Sequence, residues 1–81
     1  MPSVDERMIK VVAEVFNKDP KKINRKTEFV QDLHAKSIDI VELIAGVEAE
    51  FEIPVIQGQV MQNKSVGDAI DWMKKKLAQS G

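Results

Sequence analysis

Cysteine is absent, so disulfides, thiolate metal sites and cysteine nucleophiles are excluded. The absence agrees with the cytoplasm, which is the expected location. Histidine occurs once, at position 34. A single imidazole in a polar stretch has no defined partner, so no catalytic residue and no metal site are expected. No run approaches the roughly 18 consecutive apolar residues that a membrane span requires, so no membrane insertion is expected. The opening Met1-Pro2-Ser3-Val4-Asp5-Glu6 lacks the basic and apolar regions of a signal peptide. An excess of one charge is lacking too: 12 basic residues against 13 acidic ones leave a formal charge of -1. Dedicated nucleic-acid binders are usually strongly basic, so no nucleic acid is an expected partner.

What is present is one small domain, residues 1–81, too short for a Rossmann domain or a TIM barrel. The 43% hydrophobic and 31% charged fractions argue for a compact soluble fold and against disorder.

Hydrophobic periodicity predicts helices. Ile9, Val12, Ala13 and Phe16 share one helical face, widened by Met8, Val11 and Val15. Ser3 and Glu6 have capping-box spacing, and Pro20 forbids continuation, which gives a first helix over about residues 4–17. Residues 18–36 show no sustained period. A connection of that length needs anchors, and Ile23, Phe29, Val30 and Leu33 are the candidates, with a helical turn near Phe29–Leu33. A second helix runs from about Ser37 to Phe51, with Ser37 as N-cap and Ile40, Ile44, Val47 and Phe51 along one face. Pro54 ends it. Residues 55–64 can hold one further short helical stretch. The last helix follows a Ser65–Asp68 capping pair and buries Val66, Ala69, Ile70, Met73 and Leu77. Lys74, Lys75 and Lys76 stand near its C-terminal end, where cations suit the dipole. The elements make an all-α fold.

Charge is segregated. Between Glu28 and Glu52 seven acids face one base, Lys36, while both flanking segments are net basic. Such a surface steers a basic partner toward one helix; an ordinary solvated helix face is the plainer explanation. Asp39 and Glu42, three apart on a helix, are too common a pair to signal hydrolysis without a cleft. The Lys64-Ser65 pair echoes a phosphate-binding loop, but Asn63 stands where that loop needs glycine, and no strand precedes it. Ser37 is different. It opens an amphipathic helix, where a phosphate would meet free N–H groups and the positive end of the dipole.

The segment Phe29-Val30-Gln31-Asp32-Leu33-His34-Ala35-Lys36-Ser37-Ile38-Asp39-Ile40-Val41-Glu42-Leu43 resembles the acyl carrier protein signature, roughly F-x-x-D-L-G-x-D-S-L-x-x-V-E-L. The likeness continues through Glu50-Phe51-Glu52-Ile53-Pro54. It returns in Ser65-Val66-Gly67-Asp68-Ala69-Ile70-Asp71-Trp72, and so covers nearly the whole chain. The resemblance implies a small four-helix bundle with a long first loop and a short third helix, monomeric, that is not an enzyme. It implies a 4′-phosphopantetheine arm on Ser37, whose thiol holds acyl groups as thioesters for fatty acid, polyketide or related lipid biosynthesis. A phosphopantetheinyl transferase would attach the arm. Acyl-transferring, condensing or ligase enzymes with basic patches would then dock on the second helix, at Lys36, Ile38, Asp39, Glu42, Glu48 and Glu50. The interior that shelters an acyl chain in some members would here be drawn from Ile40, Val41, Ile44, Val47, Phe51, Ala69 and Ile70.

The sequence also departs from the pattern. Lys36-Ser37-Ile38 replaces D-S-L, and its first residue reverses a charge that, in the family, helps the transferase bind. His34 replaces a common glycine, and Val55 to Gln62 lack the acids usual in fatty-acid carriers. These departures point to a specialised carrier. The alternatives are a helical interaction module of the same fold without an arm, and a peptidyl carrier.

Overall fold

The computed structural model describes residues 3–56, 58 and 62–80. Three long helices make an all-α bundle: α1 (Val4–Phe16), α2 (Ser37–Phe51) and α3 (Val66–Ser80), with a 3-10 turn at Pro20–Lys22 between the first two. The short helical stretch expected within residues 55–64 includes positions 57 and 59–61, which lie outside the described residues. Among the described residues no helix is long and apolar enough to cross a membrane.

Local chemistry sets the helix ends. Ser3 Oγ accepts from the Glu6 N–H at 3.1 Å, and Asp5 and Glu6 place negative charge in the first turn of α1, where the dipole favours it. The helix closes at Asn17, whose φ of 54° is left-handed. There the Lys18 N–H donates to the Ala13 carbonyl at 2.9 Å and the Asn17 N–H to the Glu14 carbonyl at 3.4 Å. Asparagine tolerates that conformation better than most residues. At the head of α3 the expected pair forms in both directions: Ser65 Oγ accepts from the Asp68 N–H, and Asp68 Oδ2 from the Ser65 N–H, each at 3.1 Å. These backbone donors, Ser65 first and then Lys64, hold the Asp68 carboxyl below its usual range. The three lysines fall earlier than expected, because α3 continues to Ser80 and its last turn contains no base. Lys74 pairs instead with Asp5 at 3.0 Å.

The core joins Met8, Val11, Val12 and Ala13 of α1 to Leu43, Val47 and Phe51 of α2 and to Val66, Ala69, Ile70 and Met73 of α3. Burying one such large apolar side chain stabilises the fold by about 1.5–3 kcal/mol. The centre of α2 is the ridge Leu43–Val47–Phe51, at intervals of four. Val41, expected inside, is 55% exposed. At 100° per residue it lies about 200° around the helix from Leu43, on the solvent side. Close packing of α1 on α2 passes over Gly46, where a Cβ would stand 3.0 Å from Val11 Cγ1.

The long loop is anchored by its backbone as much as by its side chains. Ile23 and Phe29 are buried as expected, and Leu33 is half-buried. Val30 is exposed. The turn in which Asp32 and Leu33 N–H groups both donate to the Glu28 carbonyl sends Phe29 inward and its neighbour out. The Thr27 carbonyl accepts from the Val66 N–H at 2.8 Å, and the Arg25 carbonyl from the Gly67 N–H at 2.9 Å. The loop thus satisfies amides that the first turn of α3 leaves open. Gly67 is required by this contact: a Cβ there would lie 2.8 Å from the Arg25 carbonyl oxygen. The Arg25 side chain fastens the same junction, reaching Asp71 at 2.7 and 2.8 Å and Asp5 at 3.3 Å.

Candidate functional site

The loop delivers the chain to α2 in a tight turn. The Ala35 N–H donates to the Phe29 carbonyl at 2.9 Å, and His34 takes a left-handed φ of 53°. A glycine would hold that conformation without the penalty of about 1–2 kcal/mol that a Cβ brings. Lys36 follows in extended conformation, and its carbonyl accepts the first helical bond, from the Ile40 N–H at 3.1 Å. The N-cap is therefore Lys36, and Ser37, expected there, is the first residue inside the helix. Lysine has no acceptor with which to cap a helix. Asp39 compensates from the other direction, its Oδ2 accepting from the Lys36 N–H at 2.9 Å.

Ser37 is exposed, and its hydroxyl makes no hydrogen bond among the described residues. The N–H groups of Ser37, Ile38 and Asp39 likewise find no partner among them, since the first helical donor is Ile40. Three unpaired amides at the positive end of a 15-residue helix stabilise negative charge placed on that hydroxyl. The geometry suits a serine that carries a phosphate ester. Among the described residues no group of three or more His, Asp or Glu side chains could hold a metal ion.

The residues expected to dock partners divide into two groups. Lys36, Ile38 and Glu42 are exposed around Ser37, and Asp39 is half-buried in its capping role. Ile38 is 66% exposed; with Val41, three residues on, it forms an apolar strip beside the serine. The sequence analysis places Val41 in the interior, but its spacing from Ile38 also matches one helical face, and that face is the exposed one. Glu48 and Glu50 are half-buried and already engaged. Glu48 Oε2 accepts from the Val55 N–H at 3.0 Å. Glu50 Oε2 receives Arg7 Nε at 2.9 Å, and its carbonyl receives Arg7 Nη2 at 2.7 Å. The Arg7 guanidinium also lies 4.4 Å from the centre of the Phe51 ring.

Behind the head of α2 is a cavity of about 400 Å³, within the range of small-molecule sites. Ile40, Leu43, Ile44 and Val47 of α2 all line it; Leu43 and Val47 are buried and Ile40 and Ile44 half-buried. Trp72 of α3 and Met8 of α1 complete its apolar walls.

Over residues 1–81 the chain matches the family described as the C-terminal ACP domain of the highly reducing polyketide synthase sdgA. It is 36% identical over 77 residues to an acyl carrier protein of Porphyromonas gingivalis, covering 95% of this chain and 99% of that one. It is 38% identical over 77 residues to the acyl carrier protein of Phenylobacterium zucineum, with 95% and 98% covered. With that of Caulobacter vibrioides it shares 37% over 78 residues, with 96% and 100% covered. An exposed serine heading the second long helix, an apolar chamber behind it and likeness along almost the whole length lead to one assignment: the chain belongs to the acyl carrier protein family, whose members carry acyl intermediates for other enzymes and catalyse nothing themselves.

Proposed function

We propose that Ser37 bears a 4′-phosphopantetheine arm and that the chain, residues 1–81 as one domain, presents acyl thioesters to separate enzymes of fatty acid, polyketide or related lipid biosynthesis in the cytoplasm. One observation carries the reading: at the first turn of α2 the Ser37 hydroxyl is exposed and, among the described residues, without a hydrogen bond, as are three backbone amides beside it. The arm supplies a terminal thiol, which the chain itself lacks. Ser37 Oγ would form the new O–P bond as the pyrophosphate bond of coenzyme A breaks and adenosine 3′,5′-bisphosphate leaves, the hydroxyl proton passing to a base of the transferase. The free N–H groups of α2 then face the ester oxygens, and the Lys36 ammonium adds a positive charge next to them. The cavity behind α2 would shelter the cargo, and the fold would be the four-helix bundle with a short third helix that the resemblance implies.

Docking would centre on the head of α2, with Ile38 as the apolar contact and Lys36, Asp39 and Glu42 as the polar rim. Glu48 and Glu50 would contribute less, because intramolecular bonds already hold them. The partners are a phosphopantetheinyl transferase and acyl-transferring, condensing or ligase enzymes with basic patches. Incubation with coenzyme A, Mg²⁺ and transferases of broad and narrow specificity tests the reading. The expected outcome is the mass of one arm, mapped to Ser37, and no gain for Ser37→Ala. No modification with any transferase would favour the armless interaction module, an alternative that the Lys36 charge reversal keeps open, and modification elsewhere would count against Ser37 as the attachment residue.

A further inference from the structure

The loop between α1 and α2 gathers lysines that no carboxylate of the described residues pairs. Lys18, Lys21, Lys22 and Lys26 are exposed and form no ion pair among the described residues, whereas Arg7, Arg25, Lys64 and Lys74 do. Of the loop's acids, Glu28 pairs with Lys64 at 3.8 Å. The other two accept from backbone amides: Asp19 Oδ1 from the Lys21 N–H at 2.9 Å, and Asp32 Oδ2 from the Glu28 N–H at 2.7 Å. Four ammonium groups remain, so this face is cationic, opposite in sign to α2. It is also concave. Lys18, Lys22 and Lys26 surround a cleft of about 420 Å³, which Asp32 also lines. Its base is partly apolar, since the lining residues Ile23 and Thr27 are buried and Leu33 is half-buried. Asn24 holds the loop in shape: its N–H donates to Thr27 Oγ1 at 3.0 Å, and its Oδ1 accepts from the Lys26 N–H at 2.8 Å. The Lys22 and Ile23 N–H groups close the preceding turn on the Asp19 and Pro20 carbonyls. A backbone fixed in advance lowers the ordering cost of binding.

Charge and shape together select the occupant. A bilayer presents its phosphates in one plane, and inorganic phosphate has no apolar part, so neither fills a recessed apolar base. A peptide segment with carboxylates on both sides of an apolar side chain satisfies rim and base at once. We propose that this cleft is a second docking site, which takes an acidic segment of a protein partner, its carboxylates set against Lys18, Lys22 and Lys26 and an apolar side chain between them. Leu33 stands four residues before Ser37, so its edge of the cleft lies within about 14 Å of the serine, and one partner can span both. Such a partner needs a basic patch for α2 and an acidic segment for the loop. The cleft itself does not depend on the carrier reading.

Titration of the unmodified, ¹⁵N-labelled protein tests it, with three end-blocked peptides, Glu-Glu-Leu-Glu-Glu, Glu-Glu-Ser-Glu-Glu and Gln-Gln-Leu-Gln-Gln, and separately with phosphatidylglycerol vesicles. The leucine-bearing acidic peptide should give saturable shifts confined to Lys18–Leu33. The serine peptide should bind several-fold more weakly, and the glutamine peptide should not bind. Lys18→Gln with Lys22→Gln should weaken the first peptide about five-fold, as the loss of two exposed ion pairs predicts. Lys10→Gln with Lys75→Gln removes equal charge from two exposed lysines outside the cleft and should leave binding within about two-fold, the usual reach of a distant surface change. Equal weakening by the two variants would overturn the proposal, because net charge alone would then explain the attraction. No binding of the acidic peptides, or equal affinity for the leucine and serine peptides, would overturn it without any substitution. Binding to the vesicles alone, lost with Lys18→Gln and Lys22→Gln, would overturn it in favour of a membrane. Failure of the carrier reading is distinct: Ser37 would take no arm, and the peptide titrations would still decide the cleft.

Discussion

At the head of α2, Glu42 is exposed and forms no ion pair among the described residues, and the Ser37 hydroxyl makes no hydrogen bond among them. At the tail, Glu48 holds the Val55 backbone and Glu50 holds Arg7 over Phe51. Both ends are acidic in sequence. Asp39 at the head caps the Lys36 N–H and Glu52 at the tail is exposed, so the contrast lies between Glu42, open to the outside, and Glu48 and Glu50, which fasten the segment after α2 and α1. The contrast teaches that counting acids along a helix does not locate a docking surface. Which carboxylates already have a partner within the chain decides which are left open to another molecule.

The largest effect is expected from breaking the tail. Arg7→Ala leaves Glu50 half-buried without its cation and uncovers the Phe51 ring, for a loss of about 2 kcal/mol in urea unfolding. Transferase affinity should be unchanged, and a matching fall in docking would erase the distinction between the two ends. A sharper pair is Glu48→Ala against Glu42→Ala. The first removes an acceptor from the Val55 amide and should cost about 1 kcal/mol, while the second, an open surface site, should stay within about 0.5 kcal/mol. Equal stabilities would show that the Glu48 bond contributes nothing. Charge reversal tests the head. Glu42→Lys should slow association with a basic partner several-fold and flatten its salt dependence, because screening can only weaken an attraction that is present.

The smallest effect is on acid stability, and it concerns the scaffold at neither end of α2. Asp5, held by Lys74 first and Arg25 second, and Asp68, held by the Ser65 and Lys64 amides, both titrate below the ordinary aspartate value. A depressed folded-state pKa means that the stabilisation is full above about pH 5 and lost as pH falls through 4 and lower, where the native carboxylates must be protonated. Asp68→Asn should therefore lose part of its neutral-pH stability and show a shallower acid limb. An unchanged acid limb would mean that the Ser65–Asp68 pair is not part of that transition.

Much of this molecule is legible in its sequence because local spacing carries it. The three long helices follow from the apolar repeats, the Ser3 and Ser65 caps from residues three apart, and the place of Ser37 from the segment around it. Other features depend on partners distant in sequence. Nothing near Thr27 or Arg25 announces that their carbonyls will receive the amides of Val66 and Gly67. Likewise, nothing near Glu50 reveals Arg7, 43 residues away. Val41 was misplaced because a wholly apolar run, Ile40-Val41, does not say which of its two faces turns inward. Only the packing of Leu43 and Val47 decides that.

The measurement closest to the central claim is a chemical-shift map of the ¹⁵N-labelled protein with a transferase it accepts, recorded without coenzyme A so that Ser37 stays unmodified. If the head of α2 is the working end, the largest shifts should run from Lys36 to Glu42, with Ile38 and Val41 among them. Glu48 to Glu52 and Arg7 should hardly move. Shifts centred on the tail, with Lys36 to Glu42 silent, would contradict the account.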